Sequence, residues 1–109
     1  MAYDETLADE VRKVLSEFKV EEKKAFGGLA FMVNGKMCVS VNNRPDHCMM
    51  VRIDPKNQDE ALKRTGAKIA VMRGKEMAGW IFLTRESITT EKDFSYWIEL
   101  AVAYNKTFR

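Results

Sequence analysis

The residues with the most evident chemical potential are three neighbours, Asp46, His47 and Cys48, whose side chains can each ligate a metal ion. They lie at the start of a predicted strand, in which neighbouring side chains point to opposite faces of the sheet. The three therefore cannot reach one ion, and the same geometry separates Cys48 from His47 as a nucleophile and its base. No second cluster of Cys and His accompanies them. We predict no catalytic residue, no metal site and no cofactor.

Two consecutive glycines, Gly27 and Gly28, could let a phosphate group approach the backbone, because no Cβ intervenes. Phosphate-binding loops, however, run from a strand into a helix and usually carry a Lys followed by Ser or Thr. Here the glycines precede a strand. A bulge or a close crossing of two backbone segments explains them better. We therefore predict a structural role for them, as for Gly35 and Gly79.

The basic residues Arg52, Arg73 and Lys75 are candidate contacts for an acidic group or for nucleic acid. Residues 1–22 carry seven acidic and three basic side chains, and residues 23–109 carry fifteen basic and nine acidic ones. A basic body of this kind could bind nucleic acid. Without a dense Lys/Arg run, a solvated surface is the simpler interpretation, since basic side chains also discourage pairing at strand edges.

Composition excludes several classes of protein. The chain has 109 residues, 46% hydrophobic and 31% charged, which fits one folded domain over residues 1–109 and excludes a disordered tail. Neither a membrane span nor a signal peptide is evident, and we expect a cytoplasmic protein without membrane contact. In that compartment the two cysteines, Cys38 and Cys48, are expected to be reduced thiols.

The stretch of residues 26–41 predicts a two-stranded hairpin around which the other elements are arranged. Asn34-Gly35 is typical of a type I′ turn, in which both central residues need φ > 0. The predicted pairs are Val33 with Lys36, Met32 with Met37, Phe31 with Cys38, Ala30 with Val39, and Leu29 with Ser40. A third strand over residues 47–53 should then pair Val39 and Val41 with Met49 and Val51.

This register places apolar residues on both faces of the first hairpin strand. One face carries Ala30, Met32, Met37, Val39, Val41, Met49, Val51 and Ile53; the other carries Leu29, Phe31, Val33, Cys38, Cys48 and Met50. A sheet with one wet face should alternate cleanly. We therefore expect the second face to be covered by a terminal helix or by a second subunit. The candidate interface residues are Leu29, Phe31, Val33, Met50 and Leu100.

Helical patterns occur at both ends and in the middle. Residues 5–18 form an amphipathic helix, and residues 19–24 read as a polar connector. Asp54-Pro55 starts a short helix that ends before Gly66. Strands are predicted over residues 67–73 and 80–83, and Thr90 caps a last helix that is apolar on more than one side. The order α-β(3)-α-β(2)-α predicts an α+β fold, with an antiparallel sheet and terminal helices.

The chain resembles the TfoX/Sxy N-terminal domain family in segments that follow one another in order: Phe26-Gly27-Gly28-Leu29-Ala30-Phe31-Met32-Val33-Asn34-Gly35-Lys36-Met37, Met50-Val51-Arg52, Gly66-Ala67, Gly74-Lys75-Glu76-Met77-Ala78-Gly79-Trp80 and Trp97-Ile98-Glu99-Leu100-Ala101. The resemblance implies the same element order, similar to type III secretion chaperones. It implies no catalytic residues. Family members of full length add a C-terminal helical domain, absent from this sequence, and regulate competence genes alongside the cyclic-AMP receptor protein.

Three functional hypotheses follow. The first is a non-enzymatic regulatory module that binds protein, predicted to be a homodimer, with a possible partner in transcription as for its relatives. The second is direct nucleic-acid binding through the basic body. The third is a small-ligand pocket near Gly27, Arg52 and Trp80.

Overall fold

A computed structural model describes residues 3–25 and 27–108, so that Phe26 of the hairpin motif lies outside the described residues. The helices are α1 (Glu5–Val14), α2 (Gln58–Ala61) and α3 (Glu91–Asn105), with short 3-10 helices at Pro55–Asn57 and Arg85–Ile88. The strands are β1 (Val20–Ala25), β2 (Gly28–Val33), β3 (Lys36–Val41), β4 (Met49–Arg52), β5 (Lys68–Met72) and β6 (Lys75–Leu83).

The strands form one antiparallel sheet in the order β1-β2-β3-β4-β6-β5. The predicted α+β class with terminal helices is confirmed. The strand count was wrong by one, because most of the predicted connector, residues 19–24, belongs to the edge strand β1. Four of its six residues are charged and exposed, which hides a strand from pattern analysis and also protects a sheet edge from pairing. The Arg12 guanidinium of α1 donates to both carboxylate oxygens of Glu22 in β1, at 2.7 and 2.8 Å.

The turn of the β2–β3 hairpin is as predicted, with φ of 54° at Asn34 and 75° at Gly35. Both residues are left-handed, as a type I′ turn requires, and glycine adopts this conformation without steric cost. The two pairs next to the turn also match the prediction: Val33 with Lys36, and Met32 with Met37.

Beyond these pairs the predicted register was wrong. The pairing shifts between Phe31 and Met32, so that Phe31 lies opposite Val39 and Leu29 opposite Val41. The physical reason is a β-bulge, in which one strand carries an extra residue, here Cys38. Because side chains alternate with period two, one extra residue exchanges the faces of everything beyond it. The register of β3 with β4 is confirmed, with Val39 opposite Val51 and Val41 opposite Met49.

One face of the sheet is covered by the helices and holds the larger core. The buried strand residues of this face pack against α1, α2 and α3. The members of the core include Leu7, Val11, Leu15, Leu29, Phe31, Val33, Val39, Val41, Met49, Val51, Ile53, Ala61, Ile81, Leu83, Phe94, Trp97, Ile98 and Ala101. Leu29, Phe31 and Val33 thus lie beneath helices of the same chain. The reason for naming these three as interface residues is thereby removed.

The helix caps follow the sequence closely, whereas helix lengths do not. Thr90 caps α3 as predicted, accepting a hydrogen bond from the backbone N–H of Asp93 at 3.1 Å. Asp54 caps the predicted Asp-Pro start through the N–H of Lys56, at 3.0 Å. The first helix ends at Val14 instead of residue 18, and β6 begins at Lys75, five residues before the predicted strand.

A pair of side-chain amides, of which that of Asn105 is buried, joins the end of α3 to the hairpin turn. The Asn105 side chain, 3% exposed, donates from Nδ2 to the carbonyl oxygen of Val33 at 2.9 Å. Its Oδ1 accepts a hydrogen bond from Nδ2 of Asn34 at 3.1 Å. These bonds satisfy a buried polar side chain and fix the hairpin against the helix.

We expect Asn105→Ala to lower the free energy of unfolding by about 1–3 kcal/mol, because it leaves the Val33 carbonyl without its partner. Asn34→Gly is the matched control, since glycine keeps the left-handed turn and removes only the outer of the two bonds. Urea unfolding monitored by Trp fluorescence should therefore show a smaller loss for Asn34→Gly. Equal losses in both variants would contradict a dominant role for Asn105.

Candidate functional site

The second face of the sheet carries an apolar cluster of its own, here called the methionine face. Its buried members are Ala30, Met37, Met50 and Ala70, and its partly buried members are Ala25, Met32, Met72, Met77, Trp80 and Phe82. All ten lie in strands. Within residues 3–25 and 27–108, no member of this cluster belongs to a helix, in contrast to the core beneath α1 and α3.

Methionine dominates this face. Of the seven methionines in the sequence, Met32, Met37, Met50, Met72 and Met77 lie here, while Met49 is in the helix-covered core. Unbranched, polarisable methionine side chains adapt to irregular partners and are common on protein-binding surfaces. Met50, a predicted interface residue, does lie on this face, although it is only 2% exposed. Leu100, the other remaining candidate, is half-buried against the helix-covered core.

An open cleft of about 700 Å³ lies at one end of the methionine face, beside the edge strand β5. We call it the His47 cleft. It is lined by Gly27, Arg44, Asp46, His47, Met50, Val71, Met72, Arg73 and Phe82. Gly27, His47 and Arg73 stand out in the sequence separately, without a sign that they share a site. Arg44 does not stand out, because it lies in a turn-rich connector and belongs to no motif.

His47 forms one wall of the cleft. Its imidazole stacks on the Phe82 ring, with centroids 3.7 Å apart and planes 8° apart. Its Nδ1 lies 2.9 Å from Oδ1 of Asp46. Burial lowers the pKa of His47 below its ordinary value of 6.5, although the neighbouring Asp46 carboxylate acts in the opposite direction. The ring is therefore neutral at pH 7.

The glycine pair is explained by close approach, as predicted. A Cβ at Gly28 would overlap the carbonyl oxygen of Val41 and lie 2.9 Å from Cα of Asn42, so two backbones cross there. A Cβ at Gly27 would overlap the guanidinium of Arg44. Gly79 lies in β6, and its N–H donates to Oε1 of Gln58 at 2.6 Å.

A second open cavity, of about 790 Å³, lies at the other end of β4 and is lined by Asn34, Lys36, Lys106 and Phe108. Beside it, the Arg52 guanidinium lies against three aromatic rings, with its Cζ 5.0 Å from the centroid of Trp80, 4.8 Å from Phe108 and 5.9 Å from Tyr104. Such contacts stabilise an arginine while leaving its N–H edges available.

The predicted basic contacts do not form one site. Arg52 belongs to the aromatic cluster at the end of α3, whereas Arg73 lines the His47 cleft. Lys75 is exposed at the start of β6, opposite Met72. The predicted pocket near Gly27, Arg52 and Trp80 is likewise divided, since Gly27 lines the cleft and Arg52 contacts Trp80 at the other end of the sheet.

The two cysteines are buried free thiols. Burial raises the pKa of Cys38 to about 12 and also raises that of Cys48, which keeps both protonated and poorly nucleophilic. Cys48 packs in the helix-covered core, whereas His47 lies on the opposite side of the sheet, stacked on Phe82.

In the part of the chain that the structure describes, no three His, Cys, Asp or Glu side chains are placed to hold a metal ion. No helix found there has the length and apolarity needed to cross a membrane.

The fold and this site define a small α+β domain whose open antiparallel sheet has helices on one face and methionines on the other. The family model of the TfoX N-terminal domain matches residues 14–104, and the chain belongs to this family. The resemblance seen in its sequence motifs is thus confirmed. Neither a curated protein nor a solved structure matches the chain.

The lowered pKa of His47 predicts a pH dependence of stability. The unfolded chain binds a proton at His47 more readily than the folded chain does. The contribution of His47 to the free energy of unfolding should therefore be fully present above pH 6.5 and be lost as the pH drops through 6.5 towards the folded-state pKa. His47→Gln removes this component. Urea unfolding of both proteins between about pH 7.5 and 5.5 should show the steeper decline in the wild type. Parallel profiles would contradict a lowered His47 pKa.

Proposed function

We propose that this chain is a non-enzymatic protein-interaction module with a regulatory role, and that it binds its partner through the methionine face. The observation that carries the proposal is an apolar cluster whose members, among residues 3–25 and 27–108, all lie in strands and none in a helix. Six of the ten members are only partly buried. Contiguous apolar surface that is open to solvent marks sites of association more often than isolated apolar residues do. The family suggests regulation, and a role in transcription or competence is part of the proposal.

The chemistry of the nucleophilic side chains supports a non-enzymatic role. Both thiols are buried and have raised pKa values. His47 and Asp46 form a hydrogen-bonded pair, but Cys48 lies on the other side of the sheet and cannot serve as their nucleophile. The pair has a simpler role in orienting the imidazole against Phe82.

Photo-crosslinking in cells tests the methionine face directly. A photoreactive amino acid in place of Met72, a partly buried member of the methionine face that lines the cleft, should give a discrete adduct with one partner protein. The same residue in place of Lys92, exposed at the start of α3 on the helix side, is the matched control and should give none. Adducts of equal yield from both positions, or none from position 72, would contradict the proposal.

The homodimer predicted from the sequence remains a prediction, now with two candidate surfaces. One is the methionine face; the other is the outer side of α3, where Leu100 and Val102 are half-buried and Val14 of α1 is 38% exposed. Sedimentation velocity up to high micromolar concentration should show a dimer. Met72→Lys and Leu100→Lys form a pair of variants, of which the one that abolishes dimerisation identifies the surface. A monomer at every concentration would contradict self-association.

Nucleic-acid binding is the second candidate function, favoured by the cavity between the hairpin turn and the end of α3. Lys36 and Lys106 line it, and Arg52 lies beside it against Phe108. None of the three forms an ion pair with a carboxylate among residues 3–25 and 27–108. Gel shifts at low salt should show binding that weakens steeply with added salt and in a Lys36→Gln, Lys106→Gln double variant. Absence of a shift at low salt would contradict this function.

A further inference from the structure

The His47 cleft has an excess of positive charge that the chain does not use. Arg44 and Arg73 line it, and neither forms an ion pair with a carboxylate in the described ranges 3–25 and 27–108. Lys68 lies near enough to influence the titration of both Asp46 and His47. The only carboxylate in the described lining is Asp46, which is already bonded to His47.

The cleft also has an apolar floor. Met50 and Met72 contribute flexible thioether side chains, and the stacked rings of His47 and Phe82 form a flat wall. The neutral imidazole adds no charge of its own at pH 7, so the charge is concentrated in the two arginines. A ligand that fits both parts must combine an anionic group with an apolar one.

The absence of a side chain at Gly27 leaves room for the Arg44 guanidinium in the cleft. A side chain there would occupy the space of the Arg44 guanidinium, which lies directly over the glycine. The planar guanidinium presents a fork of N–H donors that matches the two oxygens of a carboxylate. The sequence motif around Gly27 thus has a consequence beyond the backbone crossing at Gly28, since it places a cation at the mouth of the cleft.

We propose that the His47 cleft binds an acidic segment of a partner protein, with glutamate or aspartate carboxylates on Arg44 and Arg73 and a neighbouring apolar side chain on Met50, Met72 and Phe82. This inference rests on the proposed interaction function and adds the chemistry of the partner. Charge complementarity selects an acidic segment, because unlike charges across an interface favour one partner and reject others.

A second copy of this chain is a poor occupant of the cleft. In a two-fold dimer the same patch meets itself, so a contact centred here would bring the arginines of both copies together. Nucleic acid supplies anions, but the floor of the cleft consists of thioether side chains. The His47 and Phe82 rings of its wall are already stacked on each other, so their facing surfaces are not open to a base. An acidic, partly apolar peptide satisfies both the charge and the floor.

Methyl NMR on protein labelled at the methionine methyl groups tests this proposal. The probe is a synthetic peptide that alternates glutamate with leucine; its control is the same peptide with glutamine in place of glutamate. We expect the acidic peptide to shift the Met50 and Met72 methyl signals in a saturable manner. Met49, in the helix-covered core, is an internal control that should not move.

Two charge variants and one matched control define the site. Arg44→Gln and Arg73→Gln should each weaken binding of the acidic peptide by roughly five- to tenfold, because each removes charge-assisted hydrogen bonds. Lys92→Gln removes a charge on the helix side of the sheet, away from the cleft, and should leave the affinity unchanged. An unchanged Met49 signal and an unchanged Tm in each variant show that the fold is intact.

The outcomes separate this inference from the function on which it rests. Equal binding of both peptides with shifts at Met50 and Met72 would overturn the acidic preference and leave the interaction face standing. Loss of binding in Lys92→Gln but not in the arginine variants would overturn the location. No shift with either peptide would overturn the cleft as an acidic-peptide site, and the crosslink from position 72 would then decide the proposed function by itself.

Discussion

The bulge in the β2–β3 pairing, between Phe31 and Met32, determines which side chains the helices cover. Without it, Leu29 and Phe31 would stand on the face opposite Val39 and Val41. With it, these large side chains join one core beneath α1 and α3, and Met32 and Met37 go to the other side. Burying a large apolar side chain contributes about 1.5–3 kcal/mol, so the correct sorting of several such residues contributes as much free energy as the total stability of a small domain, about 5–15 kcal/mol.

The same sorting leaves the molecule with two apolar faces and one layer of helices. The helix-covered core accounts for folding, since it joins α1 and α3 to the four central strands and contains the fully buried Trp97. The methionine face has a different composition: small residues at Ala30 and Ala70, and flexible methionines around them. A face built in this way tolerates contact with more than one shape of partner.

Local chemistry allowed much of the fold to be predicted. The Asn34-Gly35 turn, the caps at Asp54 and Thr90, and the β3–β4 register follow from short-range backbone rules and from alternation. The edge strand β1 was missed because its charged residues pair through the backbone, which leaves no trace in the side-chain pattern. The interface prediction at Leu29, Phe31 and Val33 followed from a register without a bulge. The bulge adds one residue to β3, and the alternation of the sequence does not reveal the position of that residue.

The sequence by itself determined the fold class, the hairpin at the centre of the sheet and the family, because turns, caps and motifs depend on residues adjacent in the chain. The tertiary structure alone decided the candidate site. Gly27, Arg44 and the pair Met72 and Arg73 come from three separate segments of the chain, and they line one cleft only in the folded protein. Charge and apolar surface in one cleft are a property of the tertiary structure, which no local pattern encodes.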